Sequence, residues 1–185
     1  DEGAGTTAYD AASTNDGAIT GAAWRNEPDC KSGKCLYFNG SNTNYVNMGN
    51  IFNDSTIQNT MTVEVWFKTH TLSQPDENLA VLVSKRQFSV DNSAWALRLG
   101  SSGVSWIIYD DGGSGYVSSA TLTSTDLNQW HHLVGTWSSG SQMLYLDGKL
   151  VDSDSRGFSK INDSTSNVYI GLNDSTVNDW CLGFI

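Results

Sequence analysis

The stretch WHHLVGTWSSGSQMLYLDGKLV, residues 130–151, decides the fold class of this chain. Residues 130–137 carry apolar side chains on both faces of an extended segment, which predicts a central strand covered on both sides. SSGS at 138–141 predicts a turn, and residues 143–146 predict a returning strand. Asp147-Gly148 lies between alternating apolar residues, the pattern of a two-residue hairpin turn. The stretch therefore predicts consecutive antiparallel strands.

His131 and His132 are adjacent, and paired histidines suggest a metal or catalytic site. In a strand, however, consecutive side chains point to opposite faces, so both cannot ligate one metal from there. The strand assignment instead predicts one buried histidine with satisfied hydrogen bonds. It places the other histidine at the solvent or in a groove.

Composition limits the class of protein. Hydrophobic residues make up 38% of the 185 residues and include seven tryptophans, enough for a packed core. Twenty Asp and Glu against ten Lys and Arg give a net charge of −10, which disfavours a nucleic-acid partner. No apolar run reaches the ~18 residues of a membrane span. We predict one domain over residues 1–185, with no nucleic-acid partner and no membrane span.

Short alternating segments separated by turn-rich stretches recur along the chain. Residues 62–68, for example, place Val63, Val65 and Phe67 on one face. No segment keeps a helical period over three turns. The spacing of the turns predicts an all-β antiparallel sandwich. Further strands are predicted at 79–85, 94–100, on both sides of the Gly-rich turn within 103–119, and at 168–171.

Cys30 and Cys35 enclose the sequence CKSGKC, and Cys181 is the third cysteine. A thiolate metal site is one interpretation, but zinc usually takes four ligands. A small disulfide-closed loop between Cys30 and Cys35 is favoured, which indicates an extracytoplasmic compartment. Cys181, between Trp180 and Leu182, is then predicted to be a buried free thiol.

Six segments resemble, in order, the laminin-G-like, concanavalin-A-like jelly-roll family. They are DEGAGTTAYDAASTNDGAITGAAW, LYFNGSNTNYVNMGN, MTVEVWFK, LVSKR, NQWHHLVGTW and LYLDGKLV. The resemblance covers almost the whole chain and implies two stacked antiparallel sheets. Members of the family are commonly extracellular or on the cell surface, often as modules of larger proteins, and many bind glycans. The family also often carries a structural calcium ion near its opening loop, which makes Asp16, with Asp1, the candidate Ca²⁺ ligands.

The ends depart from the family pattern, in which the first and last strands are neighbours. The chain begins at Asp1 and stops at CLGFI, which suggests a fragment or module lacking those two strands. Exposed strand edges recruit other strands. Three responses are expected: dimerisation through the gap, acceptance of a strand from a partner, or rearrangement of the chain's own terminal residues. Self-association is favoured.

The resemblance extends to sandwich-fold glycosidases, which place two carboxylates on one strand. Glu64 in VEVW has no acidic residue within five positions, and it is expected to pair with Arg98 or a lysine. No other hydrolase motif is present. We therefore predict a non-catalytic carbohydrate-binding or adhesion module. The alternatives are an assembly subunit completed by strand exchange and, less favoured, a glycoside hydrolase.

The loop YDDGGSGY, residues 109–116, is the leading candidate for a glycan site. Sugar sites combine aromatic faces with carboxylates and main-chain groups on loops that a rigid scaffold positions. Tyr109, Asp110, Asp111 and Tyr116 are the candidate ligand residues. An ordinary polar hairpin is the alternative. The partner is expected to be a glycan or a cell-surface glycoprotein.

Four sequences match the N-glycosylation pattern, and three of them are the same tetrapeptide, NDST. Their unequal spacing excludes a structural repeat. They are interpreted first as loops, and as glycan acceptors in a eukaryotic host only. The asparagines are Asn39, Asn53, Asn162 and Asn173.

Overall fold

The chain forms two antiparallel sheets in a computed structural model that describes residues 3–53, 55–72, 80–87, 92–173 and 181–185. One sheet has eight strands in the order β1-β2-β5-β14-β7-β8-β9-β10, and the other has seven in the order β13-β12-β11-β6-β15-β4-β3. The predicted all-β jelly-roll sandwich is confirmed. The strands are Thr7–Ala8 (β1), Gly17–Thr20 (β2), Ala23–Asn26 (β3), Lys34–Asn39 (β4), Tyr45–Asn47 (β5), Thr60–Thr69 (β6), Ala80–Lys85 (β7), Trp95–Gly100 (β8), Gly103–Tyr109 (β9), Gly115–Thr121 (β10), His131–Ser138 (β11), Ser141–Leu146 (β12), Lys149–Ser155 (β13), Val168–Ile170 (β14) and Leu182–Phe184 (β15).

Helical structure among the described residues consists of one α-helical turn, Ser55–Asn59 (α1), and one 3-10 turn, Ser124–Asp126. The sequence did not predict α1, since its five residues are too short to show a helical period. No described helix is long and apolar enough to cross a membrane.

The strands β11, β12 and β13 confirm the prediction from residues 130–151. β11 pairs with β6 on one side and with β12 on the other, so it is a central strand. Asp147 and Gly148 have φ angles of 51° and 77°, the left-handed pair that a type I′ hairpin requires. This turn leads directly into β13.

The core lies between the two sheets and is closed by large side chains with almost no exposed surface. Strands β8 and β9 are buried on both faces over their full length. The largest fully buried apolar side chains are Trp106, Trp137, Phe38, Phe67, Leu82, Leu97, Leu99, Ile108, Leu133, Leu144 and Ile161.

Lys85 at the end of β7 is buried inside this framework, with 1% of its surface exposed. Its Nζ donates to Asn50 Oδ1 and to the Ser166 carbonyl, each at 2.8 Å. Burial lowers its pKa from 10.5 to about 8, against a smaller opposing effect of Asp163. The two hydrogen bonds are what makes burial of this amine tolerable.

The expected gap at the C-terminal strand is partly occupied among the described residues. β15 lies between β4 and β6, where Gly183 pairs with Thr69 and Phe184 with Lys68. This arrangement matches the third expected response, in which the terminal residues occupy the position themselves. Within the described part of the chain, the rest of β6, residues 60–67, has β11 as its only strand partner.

Candidate functional site

The predicted glycan loop is a tight turn between β9 and β10 that Asp110 organises. The Asp110 Oδ1 atom accepts hydrogen bonds from the Gly112 and Ser114 amides at 2.9 Å, and Oδ2 accepts one from the Tyr116 hydroxyl at 3.0 Å. Both oxygens therefore hold the turn together. The neighbouring Asp111 side chain is exposed and has no hydrogen-bond partner among the described residues.

Tyr109 does not present its ring at the surface, which corrects its place in the predicted site. It is 8% exposed and packs with Ala96 and Ile107, and the Arg86 guanidinium lies 5.5 Å from the ring centre. Tyr109 is the last residue of β9, a strand buried on both faces. The sequence-predicted set at the surface is therefore Asp110, Asp111 and Tyr116.

A cleft of about 590 Å³, named here the Asp110 cleft, opens beside this turn. It combines two carboxylates, two cations, two hydroxyls and the edge of one aromatic ring. Three segments far apart in sequence form it: the 110–112 turn, the turn between β11 and β12, and the loop that follows β13. Its lining residues are Asp110, Asp111, Gly112, Ser139, Arg156, Gly157, Phe158, Ser159 and Lys160.

Arg156 is a rigid part of the Asp110 cleft. Its guanidinium donates to Gln142 Oε1 at 3.0 Å and to the Val117 carbonyl at 3.2 Å, and it pairs with Asp154 at 2.7 Å. The same group lies 5.3 Å from the centre of the Tyr116 ring. Arg156 therefore fixes the geometry of the wall, while Lys160 is exposed and has no carboxylate within ion-pair distance among the described residues.

Three packed aromatic rings connect the Asp110 cleft to the core. The Phe158 ring stacks on Trp137 with 5.0 Å between ring centres, and Tyr116 contacts Phe158 at 4.9 Å. Trp137 is fully buried, so the stack joins the cleft to the core. The stack therefore anchors the Phe158 side of the cleft to the core.

The two adjacent histidines have the predicted different surroundings. His131 is 6% exposed; its Nδ1 contacts Asp147 Oδ2 at 2.8 Å and its Nε2 contacts the Asp126 carbonyl at 2.9 Å. Burial by itself lowers the His131 pKa, but the hydrogen bonds to Asp147 and Asp126 outweigh it, so the pKa is raised above 6.5. His131 is therefore a satisfied structural residue.

His132 faces the opposite side of the sheet and forms a pair that the sequence did not predict. Its ring stacks on Trp66 with 4.8 Å between centres, and its Nε2 lies 3.2 Å from Glu64 Oε2. The expectation that Glu64 pairs with Arg98 or a lysine is wrong, because its partner among the described residues is His132; Arg98 lies in β8 of the other sheet. Alternation in TVEVWFK does place Trp66 on the polar face, and that signal could have identified it.

The opening loop supplies few ligands for calcium within the described residues. Asp16 Oδ1 accepts the Asp10 amide at 2.9 Å, and the Asp10 carboxylate accepts the Ala12 amide at 2.8 Å. Asp1 lies outside the described residues. No group of three or more His, Cys, Asp or Glu side chains that could hold a metal occurs in the described ranges. Two carboxylates alone fall short of the six to eight oxygens that Ca²⁺ takes, so calcium binding stays a prediction.

The predicted disulfide is present in the structure. Cys30 and Cys35 are bonded, with 5.4 Å between their Cα atoms. Cys181 is a buried free thiol, and burial raises its pKa from 9.0 to about 12. Such a thiol is inert towards oxidants and metals at neutral pH.

The four sequon asparagines differ in exposure. Asn39 and Asn53 are exposed, and Asn162 is half-buried with its amide donating to the Ser93 carbonyl at 3.1 Å. Asn173 is fully buried, so the folded chain does not offer it as an acceptor. Glycosylation of the other three stays a prediction.

Comparison with known proteins identifies the family. A laminin G family model, described as the concanavalin A-like lectin/glucanases superfamily, matches residues 39–185. The chain belongs to this superfamily, and the resemblance inferred from the sequence is confirmed. No curated protein sequence matches the chain closely enough to count as a relative.

Solved structures with the same fold share little sequence with the chain. The binding domain of Paraclostridial Mosquitocidal Protein 1 has a TM-score of 0.66 at 20% identity, covering 90% of this chain and 40% of that one. The botulinum neurotoxin serotype G binding domain has a TM-score of 0.62 at 16% identity, with coverages of 96% and 44%. Domains LG4-5 of the mouse laminin α1 chain give 0.60 at 17% identity, with coverages of 81% and 38%. The chain thus spans about two fifths of each of these structures.

Proposed function

We propose that this chain is a non-catalytic carbohydrate-binding module of an extracellular or cell-surface protein, and that the Asp110 cleft is its glycan site. The observation that carries the proposal is the cleft itself, an open recess of about 590 Å³ with hydroxyls, carboxylates and an aromatic edge. Sugar hydroxyls need donors and acceptors in fixed positions, and a preformed wall supplies them without ordering cost.

The chemistry of the cleft supports binding without hydrolysis. A glycosidase needs two carboxylates free to exchange protons or attack carbon. Both oxygens of Asp110 are engaged in the turn, which leaves Asp111 as the one free carboxylate in the cleft. The likeness to the structures of toxin binding domains supports the same class, and the Cys30–Cys35 disulfide supports the same compartment.

A glycan array, read with and without Ca²⁺, tests the proposal. The best glycan is then titrated against the Asp111→Asn and Lys160→Gln variants, with Lys149→Gln as a matched control on β13. We expect each cleft variant to weaken binding at least about fivefold, the effect of losing ~1 kcal/mol of hydrogen bonding. Lys149→Gln should bind like the wild type, and no reducing sugar should be released from the bound glycan.

Absence of any glycan above background, or equal affinity in all four proteins, would contradict the proposal. Release of reducing ends in proportion to protein concentration would show an enzyme instead.

If Ca²⁺ is structural, its removal should lower the thermal midpoint, and an unchanged midpoint would contradict calcium binding.

A second candidate function is assembly through the open part of β6. The core-facing side chains Met61, Val63 and Val65 are only half-buried, although β6 is an inner strand. An apolar groove of about 400 Å³ lies against Met61 and Val63. Unpaired strand edges recruit strands. Light scattering should show a mass that rises with concentration, and a Met61→Asp variant should stay monomeric. A constant monomer mass for the wild type would contradict this function.

A further inference from the structure

The positive charges of this acidic chain are unevenly distributed. Of the ten lysines and arginines, three are buried in or beside the eight-stranded sheet: Lys85, Arg86 and Arg98. Of four others, Arg25 and Lys68 lie on the outer face of the seven-stranded sheet, and Lys31 and Lys34 lie in the Cys30–Cys35 loop beside it. Such clustering against a net charge of −10 makes this region the place where an anion is least repelled.

None of these four cations has a carboxylate within ion-pair distance among the described residues. Lys68 Nζ donates to the Asp29 carbonyl at 2.7 Å, and Lys34 Nζ contacts the amide oxygen of Asn26. Arg25 lies over the Tyr37 ring at 5.2 Å. No carboxylate in the described part of the chain therefore forms an ion pair with them.

Aromatic rings accompany these cations across the sheet. Lys68 Nζ lies 4.4 Å from the centre of the Phe184 ring and 5.5 Å from that of Trp130. Phe184 in turn contacts Tyr37, with 5.1 Å between ring centres. These contacts hold the Lys68 ammonium group against the aromatic rings.

Trp66 is the most exposed of the tryptophans that accompany these cations. It keeps 43% of its surface exposed although His132 stacks on it and Lys31 Nζ lies 4.6 Å from its ring centre. A tryptophan on the outer face of an inner strand contributes nothing to the core between the sheets. An exposed large aromatic beside unpaired cations is typical of a binding surface.

The disulfide loop holds this surface in place. Cys30 and Cys35 pack against Phe184, with Trp130 and Tyr37 at the margin of the cluster. The Trp130 indole donates to the Asp29 carbonyl at 3.2 Å, so the loop is fixed at the residue before Cys30. The positions of Lys31 and Lys68 are therefore set in advance, which lowers the cost of binding.

We propose that the face formed by Trp66, His132, Lys31 and Lys68 is a second ligand site that binds an anionic sugar, carrying carboxylate or sulfate groups. The exposed edge of the indole contacts the apolar part of a sugar, and the two ammonium groups take its anionic substituent. The site is separate from the Asp110 cleft. The two lie at opposite ends of β11, about 20 Å apart at ~3.3 Å per residue.

Titration with four soluble polymers tests the proposal: heparin, polygalacturonate, dextran and poly-L-glutamate, at low and at high salt. We expect one of the two anionic polysaccharides to bind, and dextran and polyglutamate to bind at least about tenfold more weakly, a difference of ~1.4 kcal/mol. Heparin and polygalacturonate distinguish the sulfate from the carboxylate form of the ligand. Binding should weaken with salt.

Variants then locate the site. Trp66→Ala, Lys31→Gln and Lys68→Gln should each weaken binding at least about fivefold, while Lys149→Gln should leave it unchanged. The thermal midpoint of each variant shows whether it is folded, and Lys31→Gln, on an exposed loop, keeps the test valid if Trp66→Ala is unstable. Asp111→Asn should not affect this binding, so failure of one site is distinguishable from failure of the other.

Three results would overturn the proposal. The first is equal binding of dextran and the anionic polysaccharides. The second is unchanged affinity in Trp66→Ala and Lys31→Gln. The third is equal binding of polyglutamate through the same lysines, which would indicate non-specific anion attraction without a role for the indole.

Discussion

Gly135 occupies a core-facing position of β11 between Leu133 and Trp137, and its missing side chain makes room for Trp106 of the other sheet. A Cβ atom at this position would lie 2.7 Å from both Cγ and Cε3 of the indole. Trp106 is fully buried and donates its indole N–H to the Thr136 carbonyl at 3.2 Å, so the ring cannot withdraw without losing a hydrogen bond.

Gly135→Ala should therefore destabilise the protein although alanine is the smallest substitution available. Overpacking of a tight core costs about 1–3 kcal/mol. For a chain of this size that corresponds to a fall in Tm of roughly 2–12 °C. Urea unfolding, monitored by tryptophan fluorescence, gives the free energy, and a thermal melt gives Tm.

Gly157→Ala is the matched control. A Cβ there meets no atom within 4 Å, and the residue is not in the left-handed region. This variant should be as stable as the wild type or up to about 1 kcal/mol more stable, since alanine reduces the entropy of the unfolded chain. Equal stability of the two variants would refute the proposed contact between the sheets at Gly135.

Three further predictions concern the disulfide and two buried titratable groups. Replacing Cys30 and Cys35 with serine should cost about 2 kcal/mol in urea unfolding, the loop-entropy value for a six-residue ring, and an unchanged midpoint would contradict the bond. The pKa of His131 is raised above 6.5, so its pairing with Asp147 contributes stability that is fully present below pH 6.5 and is lost as the pH rises through the raised pKa. In His131→Gln this fall in stability between pH 6 and 8 should be absent. The pKa of Lys85 is lowered from 10.5 to about 8, so between pH 8 and pH 10.5 the unfolded chain binds more protons than the folded chain. The free energy of unfolding should therefore rise with pH over this range, by up to about 3 kcal/mol, and this rise should be absent in Lys85→Met.

The fold could be predicted from the sequence because local patterns determine most of it. Alternation in residues 62–68 places Val63, Val65 and Phe67 towards the core, and Asp147-Gly148 specifies its own turn. These signals depend on neighbours within a few residues. Strand type and turn position are therefore readable without knowledge of the tertiary structure.

The candidate site was only partly predictable, because it depends on which strands become neighbours. The Arg86 guanidinium packs over the Tyr109 ring, and the pairing of β6 with β11 places His132 beside Trp66. The second wall of the Asp110 cleft comes from residues more than forty positions away from the first, including Phe158. No pattern within residues 109–116 contains that information.

The pairing of the terminal segment shows the same limit. The family resemblance predicted an open position, but β15 occupies part of it by pairing with β4 and with the last two residues of β6. The sequence CLGFI alone does not specify a partner. Its place is set by tertiary contacts such as the packing of Phe184 against Tyr37.

Glycan binding in the Asp110 cleft can be observed by an amide chemical-shift titration of the ¹⁵N-labelled protein with the best glycan from the array. We expect the largest shifts on the cleft amides of Asp111, Gly112, Gly157 and Ser159, and we expect them to saturate with the glycan and to disappear in Asp111→Asn. Saturable shifts confined to other surfaces, or no shifts at all in the cleft, would contradict it.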